Sequence, residues 1–188
     1  MDSKYIDSVS KLKLRFEERG IKFSDLRLWM KKHKIIAAGS YILQTLIDED
    51  WDDSDLDVYI LGDTYNPPPN AKLLKTNFTS KYQYQNMDII RVTEWSVGEK
   101  DPLVIQIMSI NPLEFTSLKD FIDLYDLDFC KVMFDGDTIE VMYPESIKTK
   151  SSEYGRKDRS KTLEEKNRWY DRKKMRISKY KGRGFNIY

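Results

Sequence analysis

The stretch that decides the fold covers residues 35–61 and reads IIAAGSYILQTLIDEDWDDSDLDVYIL. Its apolar start, 35–38, predicts a short buried strand, because such runs occur where both faces of a sheet are covered. Gly39 and the serine after it predict a turn, followed by a helix over 41–47. The end of the stretch alternates apolar and polar residues, which predicts a second strand over 55–61.

Two carboxylates stand at the start of that second strand. Residues i and i+2 of a strand point to the same face, so Asp55 and Asp57 are expected to project together, about 6–7 Å apart. Leu56, Val58 and Ile60 point the other way and anchor the strand in the core. Paired carboxylate oxygens are hard ligands that suit Mg²⁺. The pattern therefore predicts a divalent-cation site.

The Gly-Ser turn complements this carboxylate pair. Gly39 has no side chain, which lets the backbone approach a phosphate closely. Ser40 and the amides at the start of the following helix supply a hydroxyl and N–H donors for it. Together the two motifs predict a site for metal-assisted attack on a nucleoside triphosphate.

At these residues the sequence resembles the nucleotidyltransferase superfamily of DNA polymerase beta, the poly(A) polymerases and the CCA-adding enzymes. That family has an apolar residue, Gly and Gly/Ser before a helix, then Asp-apolar-Asp/Glu-apolar. Residues 38–40 (AGS) and 55–58 (DLDV) match it position by position, with a slightly longer spacer. The resemblance covers roughly residues 24–143 and implies an α/β (α+β) fold with a mixed sheet flanked by helices.

The resemblance also implies an activity and its residues. A nucleotidyltransferase moves a nucleoside monophosphate from an NTP to a hydroxyl acceptor by a two-metal mechanism, with Mg²⁺ or Mn²⁺ as cofactor. Asp55 and Asp57 would be the metal ligands, and Gly39 and Ser40 would hold the nucleotide.

The family requires a third carboxylate on a neighbouring strand, and here the sequence departs from the pattern. The expected position, on the strand predicted over 103–110, holds Gln106, which binds Mg²⁺ less well than a carboxylate. Asp126, Asp128 and Asp88 are the possible substitutes. We assign the third catalytic position to Asp126, which would complete the site and help to activate the attacking hydroxyl.

The charge is divided unevenly along the chain. The formal net charge of the 188 residues is +1, yet residues 148–188 hold 15 basic and 5 acidic residues. We therefore predict a nucleotidyltransferase-like domain over 1–147, with a helical lead-in over 1–34, and a basic linker and C-terminal helix over 148–188. The basic extension could bind a nucleic acid, or it could fold back onto the acidic domain.

Other elements follow from periodicity, caps and turn residues. We predict helices over 3–19, from Ser24 onward, over 112–124 and from Ser160 or Thr162 to Gly182, and strands over 81–95, 103–110, 126–134 and 138–142. Breaks at Gly98 and at Asp135-Gly136 predict two hairpins.

Composition excludes several classes of protein. A single cysteine, Cys130, permits no internal disulfide, and a single histidine excludes a multi-histidine zinc site. No apolar run approaches 18 residues, so we expect no membrane span and a cytoplasmic, reducing location. Residues 126–136 and 176–185 resemble stretches in nucleotidyltransferase-like proteins of large DNA viruses, which would place the protein in host cytoplasm or a virion.

Two other functions stay open at this stage. Gln106 favours a catalytically degenerate nucleotidyltransferase fold that binds nucleic acid or serves a structural role in a virion. A toxin- or antitoxin-like minimal nucleotidyltransferase that modifies a protein or a tRNA is the third alternative.

Overall fold

A computed structural model describes residues 3–51, 54–78, 89–99, 101–155 and 162–188. Within these ranges the helices are α1 (Ser3–Glu18), α2 (Phe23–His33), α3 (Ser40–Leu46), α4 (Leu118–Asp123), α5 (Pro144–Lys148) and α6 (Leu163–Gly182). The strands are β1 (Ile36–Ala38), β2 (Leu56–Leu61), β3 (Lys72–Phe78), β4 (Ile89–Val97), β5 (Leu103–Ile110), β6 (Val132–Phe134), β7 (Ile139–Val141), β8 (Ser151–Ser152) and β9 (Asn186–Ile187).

The described strands β1 to β7 form one mixed sheet in the order β3-β4-β5-β2-β1-β6-β7. Strands β2 and β5 run parallel, whereas the other neighbours in this sheet are antiparallel. The predicted α/β class, with a mixed sheet flanked by helices, is confirmed.

The alternation of side chains along β2 separates two apolar clusters. Leu56, Val58 and Ile60 belong to the larger cluster, which also contains residues of α1, α2 and α3. Tyr59 points to the opposite face and packs against Phe121 of α4, with 5.4 Å between the ring centroids. Because both faces are covered, β2 is held rigidly at the centre of the sheet.

Both predicted hairpins are present. Strands β4 and β5 pair antiparallel on either side of the turn at Gly98, and β6 pairs with β7. The second turn uses Gly136 at φ 101°, a conformation that glycine adopts readily and other residues rarely do. The part of the first predicted strand before Ile89 lies outside the described residues.

The strand predicted over 126–134 is wrong in its first half. Residues Asp128–Cys130 form a 3-10 helix, and only Val132–Phe134 is extended. Contacts with the C-terminal part of the chain explain the difference. Ser152 Oγ accepts a hydrogen bond from the Asp128 amide, and the Asp126 carbonyl accepts one from the Gly155 amide. These bonds take the backbone groups that a strand would have used.

Helix α4 is shorter than predicted and α2 begins without the predicted cap. The Ser117 hydroxyl accepts a hydrogen bond from the Asp120 amide, so α4 begins only at Leu118. Helix α2 already begins at Phe23, and Lys22 occupies the cap position in place of Ser24. The cap predicted for the last helix is correct, since Thr162 and Glu165 form a reciprocal capping box.

The C-terminal segment folds back onto the sheet domain. Tyr180, Phe185 and Ile187 are buried in the larger apolar cluster. Phe185 stacks on Phe129 with a centroid distance of 4.2 Å, and β9 pairs in parallel with β8. Helix α6 is thus fixed in place, while the division of the chain at residue 147 stays a prediction. Among the described helices, none has the length and apolar character needed to cross a membrane.

Candidate functional site

The Gly-Ser turn and the carboxylate pair meet because β1 and β2 are neighbours. Ala38, the last residue of β1, pairs with Asp57. Gly39 follows at φ 83° and ψ −147°, a backbone conformation that side-chain-bearing residues rarely adopt. A Cβ atom at Gly39 would lie 3.3 Å from Asp57 Oδ2 and 3.9 Å from the Tyr125 ring. Glycine is therefore required here both for conformation and for space beside the carboxylate.

Asp57 carries a strongly perturbed carboxyl group. Burial raises its pKa from 3.8 to about 7, and the negative charge of Asp55 acts in the same direction. Arg176 and Lys179 of helix α6 oppose this rise through their positive charges. A carboxylate whose ionisation is disfavoured by burial is one that a bound cation would stabilise.

Gln106 lies where the sequence analysis placed it. It pairs with Asp57 in the parallel register of β2 and β5, and its Nε2 donates a hydrogen bond of 3.0 Å to Asp55 Oδ2. An amide thus stands where a third carboxylate was expected and orients Asp55 instead. On the other side of β5, Gln106 pairs with Glu94 of β4, which lies two strands, or about 10 Å, from Asp57.

Asp126 lines the same cavity as Asp55 and Asp57, but its carboxylate has another partner. The residue is 5% exposed, and Arg176 Nε lies 2.6 and 2.7 Å from its two oxygens. Asp128 pairs with Lys131 at 2.8 Å, and Asp88 lies outside the described residues. In the described part of the chain, no three acidic, histidine or cysteine side chains converge as a metal-binding group. A catalytic role for Asp126 stays a prediction.

The donor set nevertheless fits Mg²⁺. That ion is usually held by one or two carboxylates, while water and substrate phosphates complete its coordination. Asp55 and Asp57 provide such a pair in the lining of the cavity.

The cavity beside these carboxylates has a volume of about 1160 Å³. One wall is aromatic and includes Tyr59, Phe121 and Tyr125. The lining also includes α6 and the residue after it, with cationic side chains at Arg172, Lys174, Arg176, Lys179 and Arg183. The sequence left the position of the basic extension open, and in the structure its cationic side chains share this cavity with the acidic pair.

Comparison with known proteins gives a similar fold. No protein-family model and no curated protein sequence matches the chain. A CCA-adding enzyme in complex with ATP matches with a TM-score of 0.55 and 15% identity, over 92% of this chain and 41% of that one. A CCA-adding enzyme with CTP (TM-score 0.43, 14% identity) covers 68% of this chain and 30% of that one. The Thermotoga maritima CCA-adding enzyme with tRNA (TM-score 0.42, 14% identity) covers 68% and 31%.

At this level of identity the likeness concerns the fold. The chain spans less than half the length of the solved structures that it matches. None of these comparisons supports the expected resemblance to proteins of large DNA viruses. The chain has a nucleotidyltransferase-like fold, similar to that of the CCA-adding enzymes.

Proposed function

We propose that the protein transfers a nucleoside monophosphate from an NTP to a hydroxyl group and releases pyrophosphate. The observation that carries this proposal is that Asp57 on β2 lies beside Gly39, and that both residues, with Asp55 directly before β2, line a cavity large enough for a nucleotide. A large pocket into which a few polar groups converge is the usual place for a ligand-binding or active site.

The carboxylate pair is the proposed metal ligand. When bound, Mg²⁺ or Mn²⁺ would neutralise charge that develops on the phosphates as the bond to the leaving group breaks. Asp57 would have to be ionised for this role, which the positive charges of Arg176 and Lys179 favour. Gln106 holds Asp55 in place through its amide hydrogen bond.

Gly39 and Ser40 are proposed to hold the triphosphate. Because Gly39 has no side chain, a phosphate oxygen could come close to the main chain there. Ser40 lines the same cavity and is the first residue of α3.

The bond changes are those of a single displacement at phosphorus. The acceptor oxygen forms a bond to the α-phosphorus, and the bond from that phosphorus to the bridging oxygen breaks, so pyrophosphate leaves with the electron pair. Asp126 is the proposed acceptor of the hydroxyl proton, for which its ion pair with Arg176 must open. Positioning of the two reactants supplies much of the rate.

The test is transfer of label from α-³²P NTPs. Each NTP is incubated with Mg²⁺ or Mn²⁺ and with tRNA, DNA or bulk protein as acceptor. Metal-dependent labelling that is lost in Asp55→Ala and Asp57→Ala supports the proposal. Asp128→Ala is the matched control, because Asp128 pairs with Lys131 and lies outside the cavity lining. No labelling of any acceptor and no metal-dependent NTP binding would reject the proposal.

One observation favours a second function. Gln106 occupies the position of the expected third carboxylate, so the fold could be retained for binding alone. In that case the protein would bind a nucleotide or a nucleic acid through the basic extension 148–188 without transfer, as a nucleic-acid-binding or virion-associated protein. Salt-dependent binding of DNA or RNA, together with no label transfer, distinguishes this function from the first.

A further inference from the structure

Three basic residues of α6, together with Arg183 directly after the helix, form one row that lines the cavity of the carboxylate pair. Arg172, Arg176, Lys179 and Arg183 are spaced by four, three and four residues, which places them within an arc of about 60° on an α-helix. All four line the cavity that also contains Asp55. This spacing places the four side chains on one side of the helix.

Contacts within the protein hold two members of this row, Arg176 and Arg183. Arg176 forms its ion pair with the buried Asp126. The Arg183 guanidinium lies 3.9 Å from the centroid of the Trp51 ring and donates a hydrogen bond of 3.4 Å to Ser54 Oγ. Ser54 directly precedes Asp55 in the sequence. Behind the row, Tyr180 is buried in the core and its hydroxyl lies 3.1 Å from Cys130 Sγ. Arg183 is therefore already held beside the cavity and would lose little side-chain entropy on binding a phosphate.

The charge of the cavity matches a polyanion. Its lining contains two more cationic side chains than carboxylates, even with all three carboxylates ionised. A row of cations suits a chain of several phosphates better than a single one, because successive phosphates can each meet a positive charge. Arg and Lys are also the residues that bind phosphate oxygens most strongly.

We propose that the inward face of α6, formed by Arg172, Arg176 and Lys179 and extended by Arg183 directly after the helix, is a polyphosphate-binding subsite for the triphosphate of the nucleotide. This inference deepens the proposed function and rests on it for the identity of the nucleotide. It assigns the basic extension to the site itself, whereas the sequence alone also allowed an arm that reaches an external nucleic acid.

The probe is inorganic tripolyphosphate in the presence of EDTA, so that binding does not depend on a metal. The test variant is Arg172→Gln/Lys179→Gln. The matched control, Lys166→Gln/Lys181→Gln, removes the same charge from the same helix at exposed residues outside the cavity lining. Calorimetry should show at least a tenfold loss of tripolyphosphate affinity in the test variant and less than a threefold loss in the control.

Two outcomes overturn the inference. Equal affinity losses in both variants indicate general attraction by the basic extension. Unchanged tripolyphosphate binding in the test variant, together with a loss of single-stranded RNA binding in both variants, indicates an external nucleic-acid surface.

A further variant separates this inference from the proposed function. Asp55→Ala/Asp57→Ala should retain tripolyphosphate binding in EDTA although it loses metal-dependent transfer. Tripolyphosphate binding through α6 in a native chain that transfers no label leaves the subsite standing and rejects the transferase function. Transfer with an unchanged KM for NTP in Arg172→Gln/Lys179→Gln supports the transferase and rejects the subsite.

Discussion

Replacing Asp57 by Asn should stabilise the metal-free protein while it abolishes function. The Asp57 carboxyl has its pKa raised to about 7 by burial and by the charge of Asp55. In the unfolded chain the same group ionises near its ordinary pKa of 3.8. As pH rises from about 4 to about 7, the unfolded state therefore loses this proton before the folded state does, and the free energy of unfolding falls.

The magnitude follows from the size of the shift. A rise from 3.8 to about 7 corresponds to an upper limit of about 4 kcal/mol, at 1.36 kcal/mol for each pKa unit. The Asp57 side chain keeps partial contact with solvent, and screening reduces the penalty to about 1–3 kcal/mol. Asn has nearly the same shape and no charge, so the variant avoids this penalty at pH 8.

The assay is urea unfolding at pH 4 and at pH 8 in EDTA. Asp57→Asn should gain stability over the native chain at pH 8, and the gain should fall below about 1 kcal/mol near pH 4, where the folded state is protonated and the unfolded state is about half protonated. Mg²⁺ should then stabilise the native chain and leave the variant unchanged.

The same replacement at Asp126, which lines the same cavity, should change the free energy of unfolding in the opposite direction. Asp126→Asn removes the partner of Arg176 and should destabilise the protein by about 1–3 kcal/mol. A variant Asp57→Asn that is less stable than the native chain at pH 8, or a difference that does not change with pH, would refute the reasoning.

Three further predictions concern Gln106 and Gly39 beside the carboxylate pair, and Phe185, which packs α6 onto the core. Gln106→Glu supplies a carboxylate at the third position and should tighten Mn²⁺ binding at least threefold in a titration, while like charges beside Asp55 lower the metal-free Tm at pH 8; unchanged metal affinity would contradict this. Gly39→Ala should cost about 1–2 kcal/mol in urea unfolding and reduce label transfer, because the φ of 83° and the 3.3 Å contact with Asp57 Oδ2 disfavour a Cβ; native stability would show that the turn tolerates it. Phe185→Ala should cost about 3–5 kcal/mol and expose α6 to limited proteolysis, with exposed Tyr188→Ala as the control; equal protection in both variants would show that Phe185 does not hold the helix.

The sequence predicted the central part of the fold because its signals there are local. Strand β2 keeps strict alternation, and Gly39 marks the turn after β1. The pairing of Ala38 with Asp57 then follows from two adjacent strands. The position of Gln106 beside the pair was also predictable, since a buried apolar strand had to lie next to β2.

Features that depend on distant contacts were not predictable in the same way. Strand β3 is largely exposed and rich in polar residues, so it has no apolar alternation to reveal it. The segment from Asp126 to Cys130 has strand-like composition, and bonds to Ser152 and Gly155 override that propensity.

The sequence contains a sign of the cationic side chains that line the cavity, but it lies in their spacing and not in the composition. Spacing by four, three and four from Arg172 to Arg183 indicates one helix face. Which way that face points depends on the burial of Tyr180 and Phe185 in the core, and that is a property of the folded chain.

Electron paramagnetic resonance of Mn²⁺ tests most directly whether Asp55 and Asp57 hold a divalent cation against a nucleotide. Free Mn²⁺ is counted in titrations with and without a non-hydrolysable NTP analogue. We predict that the analogue tightens Mn²⁺ binding at least tenfold in the native chain and in Asp128→Asn, and that Asp55→Asn/Asp57→Asn loses this binding. Equal Mn²⁺ binding by the native chain and by the double variant would contradict the central claim.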